Sequence, residues 1–234
     1  MKLHFLGRGA SFYPQAGNNS AYFIDHDELF LIDSGEDVFA KLLDKALLKN
    51  ITKVNLMITH LHSDHVGSLG SLILYCFYTM RTKLNIVVAD KLKYMDDLKK
   101  LIQIYGCSDE LVEYRDVDSY EGYDLFDKIE YLETMHTDRL DCYGIKFTKA
   151  NIVTYYSGDT KEITQVKDIL ENYQVDYVYV DVNSGNFPNR VHLYIGELLE
   201  LDHKYFKDIY CMHINSKECI DLVKEYGLNL VEIE

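Results

Sequence analysis

Tryptophan is missing from this chain altogether, whereas tyrosine occurs 20 times, a bias that reads first as amphipathic filler at core edges. No C-x-x-C pair occurs among Cys76, Cys107, Cys142, Cys211 and Cys219, and five is an odd count. They are expected as reduced, mostly buried thiols of a cytoplasmic protein. No apolar run is long enough to suggest a membrane span, and the opening stretch, interrupted by His4 and ended by Gly7, is too short and polar for a signal peptide. Positive charge is also scarce: 24 Lys and Arg face 38 Asp and Glu, a formal net charge of −14. That balance disfavours a large polyanion laid along the surface, because such binding rests on neutralising phosphates with Lys and Arg. Bound divalent ions reverse the sign locally, so a small phosphodiester stays admissible. Linkers, low-complexity tracts and repeats are missing too, and residues 1–234 are expected to form one domain with a substantial core.

What is present alternates between short apolar runs and helical periodicities. Strands are expected at 2–6, 22–24, 29–32, 54–58, 85–89, 125–133, 143–148, 152–156, 175–182 and 209–212. Helical spacing covers 38–48, a stretch after the fifties strand to about Met80, and 90–105 with Asp90 as its cap. Further helices are expected at 160–173, with Thr160 placed to cap it, at 193–201 and at 216–226. The charged stretch 109–123 shows no clear long element, and 184–190 reads as a loop. Strand groups with helices in each half fit an α/β protein of four layers, αββα, with two sheets face to face.

The densest chemistry lies at Thr59-His60-Leu61-His62-Ser63-Asp64-His65-Val66-Gly67, directly after an apolar strand. Four residues of metal-ligand type fall within six positions, and on extended backbone His60 and His62 point the same way. A helix starting at Ser63 swings Asp64 and His65 toward a second point. Imidazole and carboxylate donors suit zinc or a similar metal, and a pair of ions is a hydrolytic device. His136, Asp159 and His213 each end an apolar run, where a rigid sheet can hold a ligand beside an open loop. A lone histidine is more often an ordinary hydrogen-bonded residue, which is how His4, His26 and His203 read.

His60-x-His62-x-Asp64-His65 resembles the hallmark of the metallo-β-lactamase superfamily, and Ser157-Gly158-Asp159-Thr160 resembles another of its segments. The resemblance implies that His60, His62 and His136 hold one ion, that Asp64, His65 and His213 hold a second, and that Asp159 bridges them. Asp33, in Asp33-Ser34-Gly35, matches a family turn and is expected to receive the free N–H of a ligating histidine. Two divalent ions are thus the implied cofactor, zinc foremost, with manganese as the other option.

Phe5-Leu6-Gly7-Arg8-Gly9, Asn18-Asn19-Ser20 and Leu31-Ile32-Asp33-Ser34-Gly35-Glu36 look like the start of ribonuclease Z-type phosphodiesterases. Asp181, where that branch has glutamate, and His192, leading the segment to Leu199, resemble its paired carboxylate and proton-donating histidine. Only 22 residues, 137 to 158, separate His136 from Asp159, leaving no room for the long arm with which ribonuclease Z grips tRNA. The sequence therefore looks most like compact members of the branch that open cyclic mononucleotides, including the phage-encoded anti-Pycsar phosphodiesterases. The expected machinery is Asp64 orienting water, His192 donating to the leaving oxygen and Asp181 orienting His192. Tyrosines at 75–78 and 105–123 offer faces to stack a base, alongside plain core packing. A small nucleotide substrate, no large nucleic acid, no membrane and a homodimer are the expected partners. The alternatives are a tRNA 3′-processing endonuclease, a lactone or thioester hydrolase, a di-iron redox protein, and a non-enzymatic nucleotide sponge.

Overall fold

A computed structural model describes residues 1–89, 91–119 and 125–233. The chain opens with β1 (His4–Gly7), β2 (Ser20–Asp25) and β3 (Glu28–Ile32), then α1 (Val38–Asp44) and β4 (Lys53–Met57). Next come α2 (Ser63–Val66), α3 (Leu69–Tyr75) continued by a π-turn (Cys76–Met80), β5 (Leu84–Val88), α4 (Met95–Ile104) and β6 (Val112–Asp116). The second half holds β7 (Lys128–Thr134), β8 (Cys142–Lys149), β9 (Ile152–Tyr156), α5 (Thr164–Asn172), β10 (Gln174–Asp181), β11 (Ile209–Met212), α6 (Lys217–Glu225) and β12 (Asn229–Leu230).

One sheet runs β1-β2-β3-β4-β5-β6 and the other β12-β11-β10-β9-β8-β7. In each, the first two pairings along the chain are antiparallel and the next three parallel. The halves therefore repeat one topology that no sequence repeat announces. The sheets pack face to face: Phe23 of β2 meets Phe147 of β8 edge-on at 5.7 Å, and Phe5 of β1 meets Tyr179 of β10 at 5.2 Å. Apolar residues of α5 and α6 bury against the outer side of β10 and β11, which makes the four-layer αββα sandwich.

Several local expectations change. β6 forms inside the charged stretch, because as an edge strand paired only to β5 it keeps its charges in solvent. The 193–201 helix is a 3-10 segment (Ile195–Glu200), and a second one (His203–Asp208) follows it. Thr160 does not cap α5, whose N-cap is Ile163; its hydroxyl accepts the Glu162 N–H instead, at 3.2 Å. Asp90 and residues 120–123 lie outside the described residues. The tyrosines are not core-edge filler alone: Tyr131, Tyr143, Tyr155, Tyr156 and Tyr179 are among the largest fully buried side chains. Burial succeeds because each hydroxyl finds a partner, as Tyr131 does on the Val87 carbonyl (2.7 Å) and Tyr156 from the Asn19 amide (2.7 Å). All five cysteines are buried and free.

Under β3–β5 runs a buried polar chain. Asn85 donates to Asn55 (2.9 Å), and Asn55 donates to Glu28 (2.8 Å), which also takes Lys53 (2.7 Å). Asn55→Ala strips both of these links at once from a buried position. Its expected cost is about 2–4 kcal/mol, read as a lower denaturant midpoint with an unchanged slope.

Candidate metal centre

β3 and β4 run parallel, as do β9, β10 and β11, and β7 shares their direction through two antiparallel steps. Their carboxyl ends meet at one rim, the place where open α/β sheets bind ligands. β4 delivers Thr59–His65, β7 His136, β9 Asp159, β10 Asp181 and β11 His213. Close approach makes this possible. A Cβ on Gly35 would lie 2.1 Å from the Asp64 carbonyl oxygen, so only glycine lets the β3 exit touch the start of α2. Gly158 turns the β9 exit at φ +59°, which swings Asp159 back over the rim.

All seven expected ligands converge. His60 Nε2 lies 2.9 Å from His62 Nδ1, His62 Nδ1 3.3 Å from His136 Nε2, and Asp159 Oδ2 3.7 and 3.6 Å from His60 and His136. Donors about 2.0–2.1 Å from a tetrahedral zinc stand about 3.3–3.4 Å apart, so these four fit one ion. Around a second point, Asp64 Oδ2 lies 3.3 Å from His213 Nε2 and 3.5 Å from His65 Nε2, and Asp159 lies 3.5 Å from both imidazoles. His65 Nε2 and Asp159 Oδ1 are buried at this point without a hydrogen bond, two lone-pair-bearing atoms that a cation would answer. A third donor group joins Asp159, Asp181, His192 and His213, which the motif did not foretell.

Outer contacts set the tautomers. Asp33 Oδ2 lies 2.8 Å from His65 Nδ1 and takes the Thr59 hydroxyl at 2.9 Å, while Oδ1 takes the Thr59 N–H at 2.8 Å. His136 Nδ1 donates to the Val191 carbonyl (2.7 Å), leaving Nε2 with a free lone pair. Asp181, last in β10, reaches His192 Nδ1 at 2.8 Å, so the shorter side chain is long enough here. It also accepts the Thr160 N–H (3.0 Å) and faces His213 Nδ1 (3.3 Å).

The electrostatics divide the centre. Burial pushes His60, His62 and His136 below the ordinary histidine value, keeping their imidazoles neutral and able to coordinate. Burial opposes charge on His65, His213 and His192 as well, but neighbouring carboxylates outweigh it. Asp159 and Asp33 raise His65, Asp159 and Asp181 lift His213 to about 10, and Asp181 raises His192. Burial likewise opposes the charge of Asp64 and Asp159, yet the surrounding histidines hold both carboxyls far below their usual range. The centre is a well for positive charge.

A cavity of about 400 Å³ opens over these residues, within the range of small-ligand pockets. Among the described residues it is lined by Phe12 and Phe187, from loops, and not by Tyr75, Tyr78, Tyr105 or Tyr114; Tyr120 and Tyr123 of the expected segment lie outside the described residues. Sequence reasoning passed over both phenylalanines; the available signal was an aromatic residue inside a turn of small and polar residues.

This arrangement defines a metallo-β-lactamase-fold protein. The fold agrees with the crystal structure of YhfI from Bacillus subtilis (TM-score 0.75, 17% identity, 99% of this chain and 95% of that one). It agrees too with a diphosphatase of the PhnP family (TM-score 0.69, 19% identity, 99% and 94%). The chain belongs to the family described as Anti-Pycsar protein Apyc1, which matches residues 1–232. It is 25% identical over 226 residues to the Anti-Pycsar protein Apyc1 of Paenibacillus harenae, covering 91% of this chain and 89% of that protein. Family membership and the donor set together support a metal-dependent hydrolase.

Proposed function

We propose that the protein is a two-metal phosphodiesterase that opens a small cyclic mononucleotide to its linear form. The observation that carries this is the Asp181–His192 pair, 2.8 Å apart, beside a converged set of seven metal donors. His60, His62, His136 and Asp159 hold one ion in this proposal, and Asp64, His65, His213 and Asp159 the other. When bound, the ions polarise the phosphoryl oxygen and make water a nucleophile at neutral pH.

The remaining steps belong to the chain. Asp64 orients the attacking water, whose oxygen forms the new bond to phosphorus as the ring P–O bond breaks and whose lost proton passes to solvent, from which His192 is recharged after turnover. Asp181 holds His192 Nδ1, so the other ring nitrogen delivers a proton to the departing alkoxide. The product is a linear nucleotide with a terminal phosphate. A homodimer is part of the same proposal, on the resemblance to ribonuclease Z-type proteins alone, and is checked by light scattering.

The test is a product screen over cyclic mono- and dinucleotides, a lactone, a thioester and a tRNA precursor, with metal content measured on the same sample. Cleavage of a cyclic mononucleotide, lost on chelation and restored by zinc or manganese, is expected. Turnover confined to lactone, thioester or tRNA, or recovery of uncleaved nucleotide only, would overturn the proposal. Chelation is also expected to lower the melting temperature. An ion at 100 times its Kd contributes about 2.7 kcal/mol, about 5–10 °C for a chain of this size, read by calorimetry. Among the described residues, no helix is long and apolar enough to cross a membrane.

A further inference from the structure

We infer that Phe12 and Phe187 form an aromatic clamp at the mouth of the metal cavity and stack on the substrate's nucleobase. The inference rests on the nucleotide reading above and names how that substrate is gripped. Phe12 is 97% exposed and Phe187 54% exposed, and both line the cavity whose floor carries His62, Asp64, His136, Asp159 and His213. A phenylalanine left in water forgoes roughly 1.5–3 kcal/mol of burial, so two beside one cavity mark a surface meant to be covered.

The backbone under both rings is tied down. Ala10 N–H donates to the Ile214 carbonyl (2.9 Å) and Ile214 N–H to Arg8 (2.7 Å), lacing the first loop to the residue after His213. Tyr13 N–H returns to Ala10 (2.9 Å), closing the turn that carries Phe12. Phe187 lies over Gly185: a Cβ there would meet the ring at 2.5 Å, so a larger residue would displace it. Gly185 N–H in turn donates to Asn183 (2.8 Å).

The occupant follows from the chemistry of floor and lip. The floor suits cations and, through them, an anionic phosphate; among the described residues no lysine or arginine lines this cavity. The lip is apolar and aromatic. A molecule with a phosphate at one end and a flat heterocycle at the other satisfies both, and a base face on an aromatic ring is a favourable contact for any nucleobase.

The absence of tryptophan supplies the test. Phe12→Trp places the sole indole of the chain at an exposed position, so folding is not at risk and its emission reports the mouth alone. A hydrolysis-resistant cyclic nucleotide phosphorothioate is expected to quench that emission saturably, while ribose 5-phosphate, which has no base, leaves it unchanged. Phe12→Ala and Phe187→Ala should each weaken phosphorothioate binding about 5- to 100-fold, raise KM, leave kcat within a few-fold and leave the melting temperature unchanged. Unquenched emission with unaltered affinity in the alanine variants overturns the clamp, as does failure of the parent protein to bind the nucleotide. A change of oligomeric state in Phe12→Ala with affinity intact would make that ring a contact between copies instead. Binding without turnover would sink the phosphodiesterase reading and leave the clamp standing; turnover insensitive to both alanine variants does the reverse.

Discussion

Asp159→Ala is expected to lower kcat/KM by about 10³–10⁴-fold, the scale of the several kcal/mol that metal ions supply to a charged transition state. It is also expected to strip metal from both positions. The reason is geometric. One carboxylate faces His60, His136 and His213 through Oδ2 and His65 through Oδ1, at 3.5–3.7 Å. These imidazoles arrive on strand ends of both sheets, and this one carboxylate reaches all four. Asp159→Asn keeps the volume and removes the charge, which separates packing from coordination. Asp33→Ala is the milder contrast, because that carboxylate reaches the metal donors only indirectly, through His65 Nδ1 and Thr59, and its loss should cost about 10- to 100-fold in metal affinity. Elemental analysis and kinetics on the same preparations decide it: an Asp159→Ala protein that keeps two ions and full activity ends the two-metal proposal.

The legible part of this site is the part held by local geometry. His60, His62, Asp64 and His65 sit on one strand exit and one helix start, and their convergence follows from backbone periodicity over six residues. His136, Asp159 and His213 were readable only as donors closing apolar runs, and their order along the chain became meaningful through a family likeness. The Asp181–His192 contact spans 11 residues of irregular chain, so only the family likeness suggested it and only tertiary structure measures it. β6 escaped notice because an edge strand needs no apolar alternation on its open side, and β12 because two residues carry no periodicity. The buried tyrosines were misjudged for a related reason. A hydroxyl reads as a surface signal until the distant carbonyl or amide that satisfies it, such as Val87 for Tyr131, is in view. Phe12 and Phe187 went unseen because an aromatic in a polar turn is a weak signal without periodicity; their meaning comes from what lies beneath them.

His192→Ala is the experiment that separates phosphate-ester chemistry from the other hydrolyses this fold admits. With a cyclic nucleotide, whose leaving group is a poor alkoxide, kcat is expected to fall about 10²–10⁴-fold, the usual contribution of a positioned general acid. With an aryl phosphodiester such as a p-nitrophenyl ester the leaving group needs no proton, and the variant should stay within a few-fold of the parent. Asp181→Asn should follow the same pattern more weakly, since an amide in place of the carboxylate at 2.8 Å no longer favours the proton-bearing ring. Metal content carries the second half of the argument. Because Asp159, Asp181, His192 and His213 also stand at metal-ligand spacing, His192 has a competing role as a ligand. A His192→Ala protein that loses metal, and fails equally on aryl and alkyl esters, would assign it there. One that keeps its metal and fails only where a proton is needed holds the acid that a lactonase or thioesterase on this scaffold does not require.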